Sequence, residues 1–269
     1  MQPVPRTLWV DQLRGLAVVW MVAFHFCFDL DWLGFQSFDM LSDPWWTTQR
    51  TLIVTLFIWT AGLSQVLAVR GGQSPLGFWK RWSQIAGCAL LVSVSSYASF
   101  GASWIYFGVL HAVAVMLLLV RAALWLALPW WAWLAMGAAV IASAQGIPAL
   151  LQATLAPEVQ VSLNDFPMNI LGWISEKPIT EDYVPLAPWL GVMCLGVAFA
   201  LWRGVGRQPG HHGGSHAPVR NGRAAAQGSS DAATTLRGWL AWTGRHSLLI
   251  YMVHQPVMVA FLKAVQALQ

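Results

Sequence analysis

Seven stretches of this chain are each long and apolar enough to cross a bilayer, and that repetition constrains the fold more than any motif. A spanning helix needs about 20 mostly apolar residues. Candidate spans run near 10–30, 48–69, 78–98, 104–121, 124–145, 184–203 and 239–262. The fourth and fifth part only at a tight join around Arg121–Pro129. The composition agrees: 57% of the 269 residues are hydrophobic and 10% are charged, against about 25% charged in soluble domains. A soluble globule of this size cannot hide so much apolar surface. A soluble enzyme, a disordered chain and a nucleic-acid-binding domain are therefore excluded. The net charge of +4 gives no reason to invoke nucleic acid. The expected fold is all-α: a single polytopic membrane helix bundle of about seven transmembrane helices, 1–269.

Orientation follows from where Lys and Arg fall. One side receives Arg6, Arg70, Lys80, Arg81, Arg121, Arg203, Arg207, Arg220, Arg223 and Arg237; the other receives Arg50, Lys177 and Lys263. The N-terminus is therefore expected in the cytoplasm, and an odd span count puts the C-terminus outside. Asp31, Asp39, Asp43, Glu158, Asp165, Glu176, Glu181 and Asp182 all fall on the outer side. The apolar run from residue 10 is too long for a signal peptide and carries Asp11, Arg14, His25 and Asp29.

Two connections are long. Residues 146–183 form the main outer loop, a connector or a lid over an outward-facing pocket. Residues 204–238 are rich in Gly, Ser, Ala and Pro and read as a disordered cytoplasmic linker. Its His211, His212 and His216 read as part of a polar tract rather than a metal site. Cys27, Cys88 and Cys194 lie in apolar runs without disulfide or metal-ligand spacing and read as small buried hydrophobes. No metal is expected.

Ionisable groups at membrane depth are costly, so each is a functional candidate. His25 lies roughly 7–8 Å below the outer end of its span. Asp29 follows at i+4 on the same face, where a carboxylate can orient the imidazole of a general base. His111 lies roughly 10 Å below Trp104. In the last segment Ser247, Tyr251 and His254 share a face at i, i+4, i+7. Counted from Trp239, His254 stands roughly 22 Å above the cytoplasmic end, in the outer half. Each of these also reads as a polar group holding one helix to another. Together they outline an outward-opening pocket. At the inner end, Asp11 and Arg14 sit at i, i+3, and Arg245 opens the last span. Arg14 and Arg245 are the candidates for phosphate groups. Arg70, Lys80 and Arg81 read as inner-face charge alone.

There is no phosphate loop, GxSxG elbow, HExxH or CxxC. Acyl transfer, transport of a sugar or lipid-linked precursor, and haem or quinone redox chemistry through paired histidines remain open. The segment RTLWVDQLRGLAVVWMVAFHFCFDLDWLGF (6–35) resembles the start of the heparan-α-glucosaminide N-acetyltransferase catalytic-domain family, a DUF1624-type membrane family. Arg6, Asp11, Arg14, Gly15, Met21, His25 and Asp29 fit its pattern. LFIWTAGLS (56–64), FGVLHAVAVMLLL (107–119), DYVPLAPWLGVMCLGVAFA (182–200) and GRHSLLIYMVHQPV (244–257) are similar too. The resemblance implies a transmembrane acetyltransferase that takes acetyl from cytoplasmic acetyl-CoA to an amine or hydroxyl of a saccharide or glycolipid across the membrane.

On that reading His25 and Asp29 are catalytic, and Arg14 and Arg245 bind the donor. Asp11, His111, Ser247, Tyr251 and His254 line the pocket or hold the acceptor. The partners are the lipid bilayer, acetyl-CoA, the acceptor and a second copy of the chain. The expected location is the bacterial cytoplasmic membrane. The chain departs from the lysosomal members, which have more spans and carry an amide at the position of His25. Their proposed catalytic histidine lies in the loop after span one. The matching stretch here, WLGFQSFDMLSDPWW (32–46), has Gln36 and no histidine, so His25 is the natural replacement. The heparan substrate itself is not carried over.

Overall fold

A computed structural model of the chain describes residues 7–154, 163–206 and 231–268. Helices dominate: α1 (Leu8–Trp32), α2 (Pro44–Arg70), α3 (Pro75–Phe100), α4 (Val109–Leu124), α5 (Trp130–Thr154), α6 (Leu186–Trp202), α7 (Asp231–Arg245) and α8 (Ser247–Gln266). Among the described residues the sole extended pairing is a bridge from Phe107 to Tyr183. The helix starts follow from local chemistry. Asp43 and Ser74 each precede a proline and accept a backbone N–H at the N-terminus, from Trp45 at 2.8 Å and from Gly77 at 3.1 Å.

The chain is an all-α polytopic membrane bundle. Five helices (α1, α2, α3, α5 and α8) are long and apolar enough to span a bilayer. With 16 and 17 residues, α4 and α6 are shorter. α6 sits at the centre, packed most extensively on α5 and α2. Met193 and Val197 of α6 meet Ile58, Leu63, Met116 and Trp133 in the core. Gly137 and Gly191 let α5 and α6 approach until each residue's Cα abuts the other's carbonyl oxygen. Such small residues are how membrane helices gain packing where lipid supplies no hydrophobic drive.

The expected seventh span, 239–262, is two helices. α7 ends at Arg245, the chain bends at His246 (φ −101°, ψ 17°), and α8 starts at Ser247. α7 is amphipathic and crosses the inner end of α1. Gly15 lies against the Leu240 carbonyl and Gly244 against the Asp11 carbonyl, contacts that a Cβ at either position would block. α8 then runs beside α1 in the same direction: His25 meets His254, and the Leu33 carbonyl meets Gln266. The two longest connections are also trimmed. α5 continues to Thr154, nine residues into the expected outer loop. α7 begins at Asp231, eight residues before the expected end of the linker. The linker's central part, with His211, His212 and His216, lies outside the described residues.

Outer and inner joins pair as the alternating spans require. Residues 180–184 are stitched to 103–107 by Glu181 N–H to Ser103 O (3.0 Å), Val184 N–H to Phe107 O (3.2 Å) and Thr180 Oγ1–H to Trp104 O (2.8 Å). At the other end Arg70 of α2 donates to the carbonyl of Val205, just past α6, at 2.5 Å.

Candidate functional site

Two of the three membrane-depth histidines meet. The rings of His25 and His254 pack edge-on, with centroids 5.0 Å apart. In His254, Nδ1 lies 2.8 Å from the Tyr251 carbonyl and 3.2 Å from that of Ile250. A carbonyl only accepts, so Nδ1 carries the proton of the neutral ring and Nε2 keeps its lone pair. That Nε2 is buried and has no partner, and the same holds for Nδ1 of His25. Pro256, two residues on, falls inside α8.

Asp29 lies one turn from His25 and is 1% exposed. Its Oδ1 accepts a long contact from Gln255 Nε2 at 3.5 Å, and its Oδ2 has no partner. The direct Asp29–His25 hydrogen bond expected from the i+4 spacing is not formed: His25 Nδ1 and Asp29 Oδ2 are both left over. Buried polar atoms are nearly always paired. Here three buried atoms without partners belong to two parallel helices whose imidazole rings are in contact, which makes the pair the candidate place for something else to bind.

The bend at His246 shortens the helical count to His254. α8 restarts at Ser247, so His254 stands only seven residues, roughly 10 Å, above that helix's inner end. A count from Trp239 would need an unbroken helix through His246. Ser247, at the foot of α8, is therefore roughly 10 Å from the pair. Tyr251 stays close, its ring 5.9 Å from that of His254.

His111 is placed elsewhere. It stands in the first turn of α4, and both ring nitrogens are occupied. Nδ1 accepts the Gly108 N–H at 3.3 Å, so Nε2 carries the proton, 2.9 Å from Ser93 Oγ. The Ser93 hydroxyl passes on to the Ile105 carbonyl at 2.7 Å. This chain of bonds fastens α4 to α3 and leaves His111 no free atom for an acceptor. Beside it, Asp182 caps α4 from another part of the sequence, accepting the Val109 N–H at 2.8 Å. Gly108 is required there, because a Cβ would strike the Asp182 carboxylate. Burial pushes the Asp182 carboxyl above the ordinary carboxylate range, against the opposing pull of the Val109 N–H, Arg50 and Lys177. Asp182 is also within electrostatic reach of Tyr251, which stands about one turn before His254 on α8.

At the inner end, Arg14 donates through Nη2 to Ser64 Oγ of α2 at 2.6 Å and pairs loosely with Asp11 at 3.6 Å. Arg81 of α3 lies within electrostatic range of Arg14. Arg14 thus has both a second guanidinium and one carboxylate within electrostatic range, a local excess of positive charge. Arg245 is exposed and turns Nε back onto its own helix, 3.1 Å from the Ala241 carbonyl. Its neighbour Gly244 keeps it at the same end of α1.

Along α1 the inner cluster and the imidazole pair are eleven residues apart, roughly 16 Å. The match to a family model decides what this arrangement belongs to. Residues 6–256 match the model described as heparan-alpha-glucosaminide N-acetyltransferase, catalytic. The chain belongs to that family. No curated protein and no solved structure matches the chain. Family membership makes it a membrane protein of acetyltransferase type, in keeping with the resemblance of the 6–35 segment. Among the described residues no cluster of His, Cys, Asp and Glu could hold a metal ion.

Four residues of the site are not singled out by the sequence. Gln255 and Asp182 sit within the HQP and DYVPLAPW motifs but carry no periodicity signal. Ser64 and Ser93 are single hydroxyls in apolar helices and give no signal. Arg81, inner-face charge by sequence, becomes a neighbour of Arg14.

Proposed function

We propose that this chain moves an acetyl group from cytoplasmic acetyl-CoA to an amine or hydroxyl of a saccharide or glycolipid on the far side of the membrane. The observation that carries the reading is the His25–His254 pair, with one bare, buried nitrogen on each ring. Arg14, with Arg81 near it and Arg245 at the same end, holds the phosphates of the donor. The roughly 16 Å from that cluster to the pair suits an extended pantetheine arm lying along α1.

His254 is the better-prepared base, because its tautomer is fixed by the Ile250 and Tyr251 carbonyls. Nε2 takes the proton from the acceptor as the acceptor heteroatom attacks the thioester carbonyl. The carbon–sulfur bond then breaks, and the proton held by the imidazole pair returns to the departing thiolate. His25 faces His254 and shares that proton. Asp29, held by Gln255, steadies positive charge on the pair. Tyr251 and Asp182 line the acceptor side. His111 acts at one remove, by fixing the end of α4 beside Asp182.

The test uses the full chain in vesicles, with acetyl-labelled acetyl-CoA on the cytoplasmic face and an α-glucosaminide on the other. Acetyl should appear on the amino sugar. His25→Ala and His254→Ala should each lower transfer by about 10²–10⁴-fold, the usual worth of general-base help, in protein that still folds. Near-normal transfer by both variants would remove the pair from the chemistry. Passage of the sugar without acetylation would favour the transporter reading.

A further inference from the structure

We propose that the arginine-rich end of the bundle carries a second binding site, separate from the imidazole pair, that holds one anionic phospholipid between α1 and α6. Both helices pack on α2. At this end they are bridged by Trp9 and Phe199, whose rings meet edge-on with centroids 6.4 Å apart. Beside that contact lies an open cavity of about 310 Å³, lined by Trp9, Phe199, Arg203 and Val205. The volume is at the small end for a ligand pocket, enough for the headgroup region of a lipid whose chains run on along the helices.

Arg203 is the decisive residue. It lines the cavity, is exposed, and caps the end of α6. Among the described residues its guanidinium rests over the ring of Trp202, 5.6 Å from the centroid, and no carboxylate lines the cavity. A guanidinium held by a ring carries its N–H donors in its own plane, so Arg203 has them to give to an anion. The fork matches the oxygens of a phosphate. Trp9, Phe199 and Val205 add an apolar wall, which favours an anion with an apolar portion attached. The level agrees with this. Trp9 stands in the first turn of α1 and Trp202, itself exposed, in the last turn of α6, where tryptophan marks a membrane–water interface. Basic pockets between transmembrane helices are places where anionic headgroups bind. A phospholipid supplies the phosphate for Arg203 and the apolar portion for the wall together, whereas a nucleotide has no acyl chain to lay along α1 and α6.

The experiment is native mass spectrometry of the full chain after exchange from nanodiscs containing phosphatidylglycerol and phosphatidylcholine in equal amounts. The wild type should retain one phosphatidylglycerol per chain in preference to phosphatidylcholine. Arg203→Gln should lower that retention about threefold or more, and Arg203→Lys should keep part of it. Arg237→Gln removes another exposed arginine, one that does not line the cavity, and should leave retention unchanged. A circular dichroism melt checks the folding of each variant, and Arg203→Met serves if Arg203→Gln fails to fold. Equal retention of both lipids by the wild type would overturn the proposal, as would unchanged retention in Arg203→Gln. An equal loss in Arg237→Gln would reduce the effect to general surface charge, and displacement of the lipid by acetyl-CoA would assign the cavity to the donor; either also overturns it. The proposed acetyl transfer stands or falls separately, because none of these readouts involves His25 or His254.

Discussion

His111→Ala separates a structural histidine from a catalytic one. The substitution removes an acceptor for the Gly108 N–H and a donor to Ser93, and it strips one side of the Ser93–Ile105 link. A net hydrogen bond is worth about 1 kcal/mol, and a partner left unsatisfied adds to the loss. Two bonds at a partly buried position come to about 2–3 kcal/mol. For a chain of this size each kcal/mol moves the melting temperature by about 2–4 °C. The expected drop is therefore roughly 5–10 °C, read by circular dichroism in detergent micelles. The same preparation, kept well below its melt, should transfer acetyl within about threefold of the wild type, since no bare nitrogen of His111 faces the site. His111→Gln, which can donate to Ser93 again, should recover part of the stability. An unchanged melt with a hundredfold loss of transfer (about 2.7 kcal/mol of barrier) would refute the reasoning and put His111 among the reacting groups.

Two further outcomes follow from the ends of the site. Arg14→Gln should raise the KM for acetyl-CoA about tenfold or more while leaving the rate at saturation nearly intact, the pattern of lost donor binding; a fall in kcat alone would contradict a donor-phosphate role. Asp182 has its carboxyl pushed upward by burial, so the folded state favours the protonated form. Its contribution to stability is therefore fully present below the ordinary carboxylate pKa and is lost as pH rises through the raised value. Asp182→Asn keeps an oxygen for the Val109 N–H and should melt with a flatter pH dependence between about pH 4 and 7; an unchanged slope would count against the upward shift.

The membrane class was legible because apolar stretches of spanning length suit a bilayer and little else. Arg14, His25 and Asp29 were legible for the same reason, as polar groups an apolar background could not account for. The bend at His246 was not. The polar run TGRHS (243–247) sits at the break in an otherwise apolar segment, but the packing beside it, Gly244 against the Asp11 carbonyl, is a contact more than 230 positions away along the chain. His111 and His254 look alike in sequence because each is one imidazole in an apolar run. They part only when their nitrogens are followed: those of His111 are both consumed by neighbours, and one of His254 is left bare. Asp182 was hidden for a related reason, since a carboxylate capping a helix from 73 residues away leaves no local spacing to read.

The partnership of α1 and α8 also sets an order of events during synthesis. His25 belongs to the first helix described and His254 to the last, with some two hundred residues made between them. Until α8 enters the bilayer beside α1, the first imidazole waits without its counterpart, and a chain halted after α6 holds Arg14 and its neighbours but only half of the imidazole pair. On the proposed reading, the arrival of α8 beside α1 is thus the step that assembles the pair.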